Sequence, residues 1–117
     1  MMIIEGREVT RYLGDIYKYS TQDITITFDA GITTTTWNNC IVTFASPDRT
    51  RIFEIAKANI SFSSNTISFS LTQAQTAQLT TPYCLMMVNY TYSSGTKRNN
   101  SEEGYFNVFD NLHGSVI

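Results

Sequence analysis

The residues of this chain that could do chemistry are few and scattered. Its carboxylates include Asp15, Asp23, Asp29, Glu54, Glu102, Glu103 and Asp110, most of them in expected turns or at strand ends. Glu102 and Glu103 are adjacent, so on a strand they point to opposite faces and cannot share a proton. His113, the sole histidine, lies in a glycine-flanked tail. No serine sits in a nucleophile elbow, and GxGxxG and P-loop patterns are absent. A zinc site needs about four ligands at close spacing; Cys40, Cys84 and His113 cannot supply them. The sequence therefore predicts no catalytic residue, no cofactor and no metal.

Period-two alternation dominates the elements around these residues. Ile24, Ile26 and Phe28 form one apolar phase of DITITF, with Thr25 and Thr27 opposite. Val9 to Leu13 reads as a strand, with Gly14-Asp15 punctuating before Ile16 to Tyr19. Asp29 to Thr36 reads as a loop. Cys40, Val42 and Phe44 share a face of the next strand, and Ser46-Pro47-Asp48 is turn chemistry. Strands follow at Ile52 to Ile55 and on either side of Ser63-Ser64-Asn65. Thr72-Gln73-Ala74-Gln75 reads as a capping box opening one short helix near residues 72–79, which Pro82 closes.

The longest strand is Tyr83 to Tyr92. Cys84, Met86, Val88, Tyr90 and Tyr92 share one face; Leu85 and Met87 occupy the other, so residues 84–88 should be covered on both sides. Ser93 to Thr96 is a hairpin turn, and Tyr105 to Phe109 the last strand. Seven to nine short strands at this spacing predict an all-β, antiparallel sandwich. Cys40 and Cys84 both lie in apolar runs, NNCIVTF and PYCLMMV. An inter-sheet disulfide is geometrically open to them, with Trp37 nearby. A cytosolic chain instead keeps them as reduced, buried thiols.

The 117 residues make one domain, 1–117, large enough to bury a core without staples. Charged residues are only 15%, and Thr, Ser and Asn fill their place. Net charge is −2 and the basic residues form no stripe, which argues against nucleic acid as a partner. No apolar stretch approaches the ~18 residues of a membrane span, and MMIIEGREVTRY is not a secretory signal.

One further pattern lies in the order of these signals. Arg11-Tyr12-Leu13-Gly14-Asp15, DITITF, Trp37 to Phe44, Ile67 to Thr72, Gln75-Thr76, Tyr83 and the tail Asn107 to Ile117 resemble small immunoglobulin-like structural proteins of tailed bacteriophages. The plan is similar to the N-terminal domain of phage upper baseplate proteins. The resemblance implies an immunoglobulin-like sandwich serving as a non-catalytic virion subunit, in head decoration, minor capsid, tail or baseplate. Its partners would be other virion proteins and symmetric copies of itself, and it would be assembled in the bacterial host cytoplasm. The alternative is a host-surface or carbohydrate-binding module whose partner is a glycan. The expected interface residues are Ile3, Ile4, Leu85, Met87, Tyr90, Tyr92, Val116 and Ile117. Tyrosines combine large area with a polar tip, and apolar chain ends could order against a neighbour.

Overall fold

The computed structural model describes residues 2–4, 7–9, 11–92 and 99–116, with the backbone alone for 2–4, 7–9 and 99–101. In chain order the strands are β1 (Met2–Ile4), β2 (Arg7–Val9), β3 (Tyr12–Tyr17), β4 (Gln22–Thr27), β5 (Trp37–Ala45), β6 (Arg51–Ala56), β7 (Ser61–Ser63) and β8 (Thr66–Leu71). Helix α1 (Gln73–Ala77) follows, then β9 (Tyr83–Tyr92) and β10 (Asn99–Phe109). The loop before β5 holds a 3₁₀ turn at Thr34–Thr36, and a second, Lys57–Asn59, carries the chain from β6 to β7. The expected hairpin turn at Ser93 to Thr96 lies outside the described residues.

Eight strands form two sheets, ordered β3-β10-β9-β5-β6 and β4-β8-β7, while β1 and β2 pair only with each other. The alternation seen in the sequence becomes the inner face of each sheet. Ile24 lies opposite Phe69 and Ile26 opposite Ile67 on one. On the other, Val42 lies between Val88 and Ile55, and Phe44 between Met86 and Phe53. Phe44 is wholly buried at the centre of this core, with ring centroids 5.0 Å from Phe53, 6.2 Å from Phe69 and 6.0 Å from Phe106. Burying such a side chain contributes about 2–3 kcal/mol. The result is an immunoglobulin-like β-sandwich with one short helix at its end.

One pairing departs from the antiparallel expectation. β3 runs parallel to β10, with Tyr12 opposite Tyr105 and Tyr17 opposite Phe109. Val9 to Leu13 is accordingly not one strand: β2 ends at Val9 and β3 begins at Tyr12. Nor do Gly14-Asp15 interrupt a strand, since both lie inside β3. Gly14 holds φ +143°, a conformation that L side chains rarely adopt. The register slips there by one residue, from Tyr12–Tyr105 to Gly14–Phe106, so the glycine makes a bulge rather than a break.

A second glycine fixes how close β3 lies. A Cβ on Gly104 would stand 2.7 Å from Leu13 Cγ and Cδ1 and 2.9 Å from the Arg11 carbonyl oxygen. That carbonyl accepts a hydrogen bond from the Tyr105 amide at 2.9 Å, seating the start of β3 on β10. Leu13 thus occupies the volume a side chain at 104 would fill.

The helix end is built as its sequence predicts. Thr72 is the N-cap: its hydroxyl accepts from the Gln75 amide at 3.1 Å, and the Gln75 side chain accepts from the Thr72 amide at 2.8 Å. Thr76, fully buried, ties the helix to the β3–β4 turn by donating to the Ser20 carbonyl at 2.8 Å and accepting from its amide at 3.1 Å.

Candidate assembly surface

The two outer faces of the sandwich differ in kind. On the three-stranded sheet every outward residue of β4 and β8 is small and polar, and they bond to one another across the strands. Ser70 donates to Asp23 at 2.6 Å, and the Thr25 and Ser68 hydroxyls lie 3.2 Å apart. That is the ordinary solvated face of an alternating strand.

The five-stranded sheet presents something else. Leu85 points outward from β9 yet is only 3% exposed, because Ala45, Tyr83 and Tyr105 pack around it. Beside it the β5–β6 turn bends back over the sheet. Arg49 adopts φ 69°, unusual for a residue with a side chain, in a turn closed by the Arg49 amide on the Ser46 carbonyl at 2.8 Å. Asp48 braces it by accepting from the Ser46 hydroxyl and from the Thr50 amide, and these bonds hold its carboxyl below the usual carboxylate range. The turn directs Arg49 across β9 onto Glu103 of β10, where the guanidinium forks onto the carboxylate at 2.6 and 3.1 Å. A cleft of about 280 Å³ remains there, with Leu85 and Met87 in its lining and Arg49 and Arg51 among its charged residues.

Toward β3 the same face turns aromatic. Tyr12 lies 5.7 Å from Tyr105, and Tyr17 stacks on Phe109 at 5.3 Å. Tyr12, Tyr17 and Phe109 are 51%, 53% and 43% exposed. Leu112 and Val116, in the tail that leaves β10, are the other large exposed hydrophobic residues among those described. None lies on the three-stranded sheet.

The residues expected at an interface are dispersed by this geometry. Tyr90 is a correction: it is buried, its ring stacked on Trp37 at 3.9 Å and 12°, and burial pushes its phenol pKa up. Tyr90 lies in the inward phase of β9 with Cys84, Met86 and Val88, and a bulge at Asn38 turns Trp37 inward beside Cys40 to stack on it. Tyr92 is half-buried at the rim of that cluster, 5.8 Å from Tyr90. Leu85 is also a correction, being covered by its own sheet, while Met87 is half-buried beside it. Val116 is exposed. Ile3 and Ile4 lie on β1, but their side chains, like Ile117 as a whole, lie outside the described residues.

The geometry that keeps the thiols apart is also plain. Cys40 pairs in register with Tyr90, and Cys84 sits six residues away on β9, about 20 Å along the same sheet. A bridge between sheets is therefore not available to them. Both are buried, which pushes Cys40 up to about 11 and Cys84 up to about 12. Glu102 and Glu103 do diverge, with Glu103 held by Arg49 on the outer face. Among the described residues no group of three or more His, Cys, Asp or Glu is placed to hold a metal ion.

Sequence reasoning missed Tyr12, Tyr17 and Phe109 as a group. One signal was there: in YFNVF both phases are apolar, Tyr105 and Phe109 in one, Phe106 and Val108 in the other. The same mark in LMM had indicated a strand covered on both faces.

No family model matches the sequence, and no curated protein matches it. Among solved structures, CopC from Methylosinus trichosporium OB3b superimposes with a TM-score of 0.49 at 7% identity, over 82% of this chain and 84% of that one. The likeness is too distant to argue from.

Proposed function

We propose that this chain is a structural protein of a bacteriophage virion, a non-catalytic assembly subunit of the head decoration, minor capsid, tail or baseplate. One observation carries the reading: among the described residues, the large exposed hydrophobic ones gather on one sheet face and the tail leaving it, rather than scattering singly. A small domain that keeps such a surface beside a wholly polar opposite face is suited to being covered on one side. The sequence likeness to small phage immunoglobulin-like proteins supplies the setting. Its partners would be other virion proteins and copies of itself.

The test is mass spectrometry of density-purified particles from a lysate of the producing host. The protein should be present at a copy number set by the particle's symmetry; its absence overturns the reading. The alternative, a host-surface or carbohydrate-binding module, needs an aromatic platform open to a sugar ring. Tyr90 is stacked within the core, whereas Tyr17 on Phe109 is open. Glycan-array binding lost in Tyr17→Ser would favour that alternative.

A further inference from the structure

The aromatic face arises from both ends of the described sandwich. β3 brings Tyr12 and Tyr17, and β10 brings Tyr105 and Phe109, into register on the outward side of the five-stranded sheet. We propose that this face docks a second copy of the chain, face to face about a two-fold axis. The inference deepens the assembly reading and rests on it for its setting, but its argument comes from area and charge.

Tyr12, Tyr17 and Phe109 are each about half exposed. An aromatic side chain can bury 150–250 Å², so the three offer roughly 300 Å² per copy and ~600 Å² across a pair. That is about half of the ~1,200 Å² at which stable interfaces begin. Half-buried Tyr83, Tyr105 and Met87 border them, and Leu112, three residues beyond Phe109, is fully exposed.

Charge selects the occupant. Glu103 is held by Arg49, and Asp15 accepts from the Tyr12 hydroxyl at 2.5 Å. Arg51 pairs with Glu54 at 3.4 Å on the same sheet face, where outward Thr43 also donates to Glu54. A face so nearly balanced meets its own image without repulsion, and it gives a strongly acidic or basic partner little to pair with. Exposed tyrosine and phenylalanine in an isologous contact cover one another reciprocally, so each ring gained on one copy is gained on both.

Sedimentation and light scattering of the full chain from low to high micromolar concentration test this. A dimer is expected, weakened at least about tenfold by Tyr17→Ser and by Phe109→Ser, since each removes ~100 Å² from both copies. Thr25→Lys on the opposite, hydroxyl-lined face should leave it unchanged. Circular dichroism melts establish that the variants fold. Hydrogen exchange of the wild type over the same concentrations reads the face with no substitution, through added protection at residues 12–17 and 105–109. A wild type that stays monomeric overturns the proposal. So does a dimer that neither serine variant weakens, or glycan binding at Tyr17 by a monomer. Particle mass spectrometry separates the two readings: monomer found in particles defeats self-docking alone, and a dimer missing from particles defeats the virion assignment alone.

Discussion

Gly104→Ala is the substitution that most directly tests how β3 is seated. The added methyl would lie 2.7 Å from Leu13 Cγ and Cδ1 and 2.9 Å from the Arg11 carbonyl oxygen, where carbon contacts normally settle at about 3.5–4.0 Å. Leu13 can yield by rotating or shifting about 1 Å. The Arg11 carbonyl is backbone, and moving it stretches the 2.9 Å bond from the Tyr105 amide that joins β3 to β10. Overpacking of this sort costs about 1–3 kcal/mol, and weakening a buried backbone hydrogen bond adds roughly 1 kcal/mol. The sum, about 2–4 kcal/mol, corresponds to a fall in Tm of roughly 8–15 °C for a domain of this size. Differential scanning calorimetry of wild type, Gly104→Ala, Leu13→Ala and the double variant measures both parts as a double-mutant cycle. Leu13→Ala should restore part of the loss, leaving the backbone share. A Gly104→Ala protein melting within about 2 °C of wild type would refute the reasoning. Complete restoration by Leu13→Ala would show that the carbonyl never mattered.

Three further outcomes are expected. Thr72→Ala removes half of the capping box and should cost about 1 kcal/mol by urea denaturation, with Thr72→Ser close to wild type. Thr76→Val keeps the shape of a fully buried side chain but strips both partners from Ser20, so it should cost roughly 2–3 kcal/mol by the same measurement, well beyond Thr76→Ser. The thiols predict an alkaline loss of stability. Folding raises the pKa of Cys40 to about 11 and of Cys84 to about 12 through burial, above the ~8.5 of an unfolded thiol. The folded state therefore keeps protons that the unfolded chain releases. The stabilisation is full below about pH 8.5 and is lost as pH rises toward the folded values, on the order of 1 kcal/mol per thiol per pH unit. Melting temperatures from pH 8 to 10 should fall, and the fall should flatten in a Cys40→Ala/Cys84→Ala variant.

Much of the sandwich was legible because burial on one side of a strand leaves a period of two. Ile24-Ile26-Phe28, Cys40-Val42-Phe44, Ile67-Phe69-Leu71 and Cys84-Met86-Val88 are inner-face residues as their spacing predicts, all buried. The capping box was legible because its two side chains act on amides within the same turn. What did not show were features set by partners far away in the chain. Gly14 reads locally as punctuation, and only β10 makes it a bulge. Tyr90 was expected at an interface although it shares the phase of Cys84, Met86 and Val88, and the bulge at Asn38 that brings Trp37 onto it did not show in the alternation. Of the outer aromatic face only the β10 half left a mark, in YFNVF, for the same reason: Tyr17 and Phe109 are 92 positions apart and meet only through a parallel pairing. Arg49 and Glu103 likewise lie on separate elements, joined by a turn whose backbone conformation no residue type in it advertises.

The parallel run of β3 along β10 also sets how the molecule answers a mechanical load. Force drawn through the chain before β3 and the chain after β10 pulls these two strands past one another along their length. Tyr12, Gly14, Asp15, Ile16 and Tyr17, each matched to a position between Tyr105 and Phe109, then share the tension in shear. Their hydrogen bonds must fail together rather than open one by one, as they would in a strand peeled from its end. Loaded through these two points, the sandwich would stay closed until the whole register of β3 on β10 gave way at once.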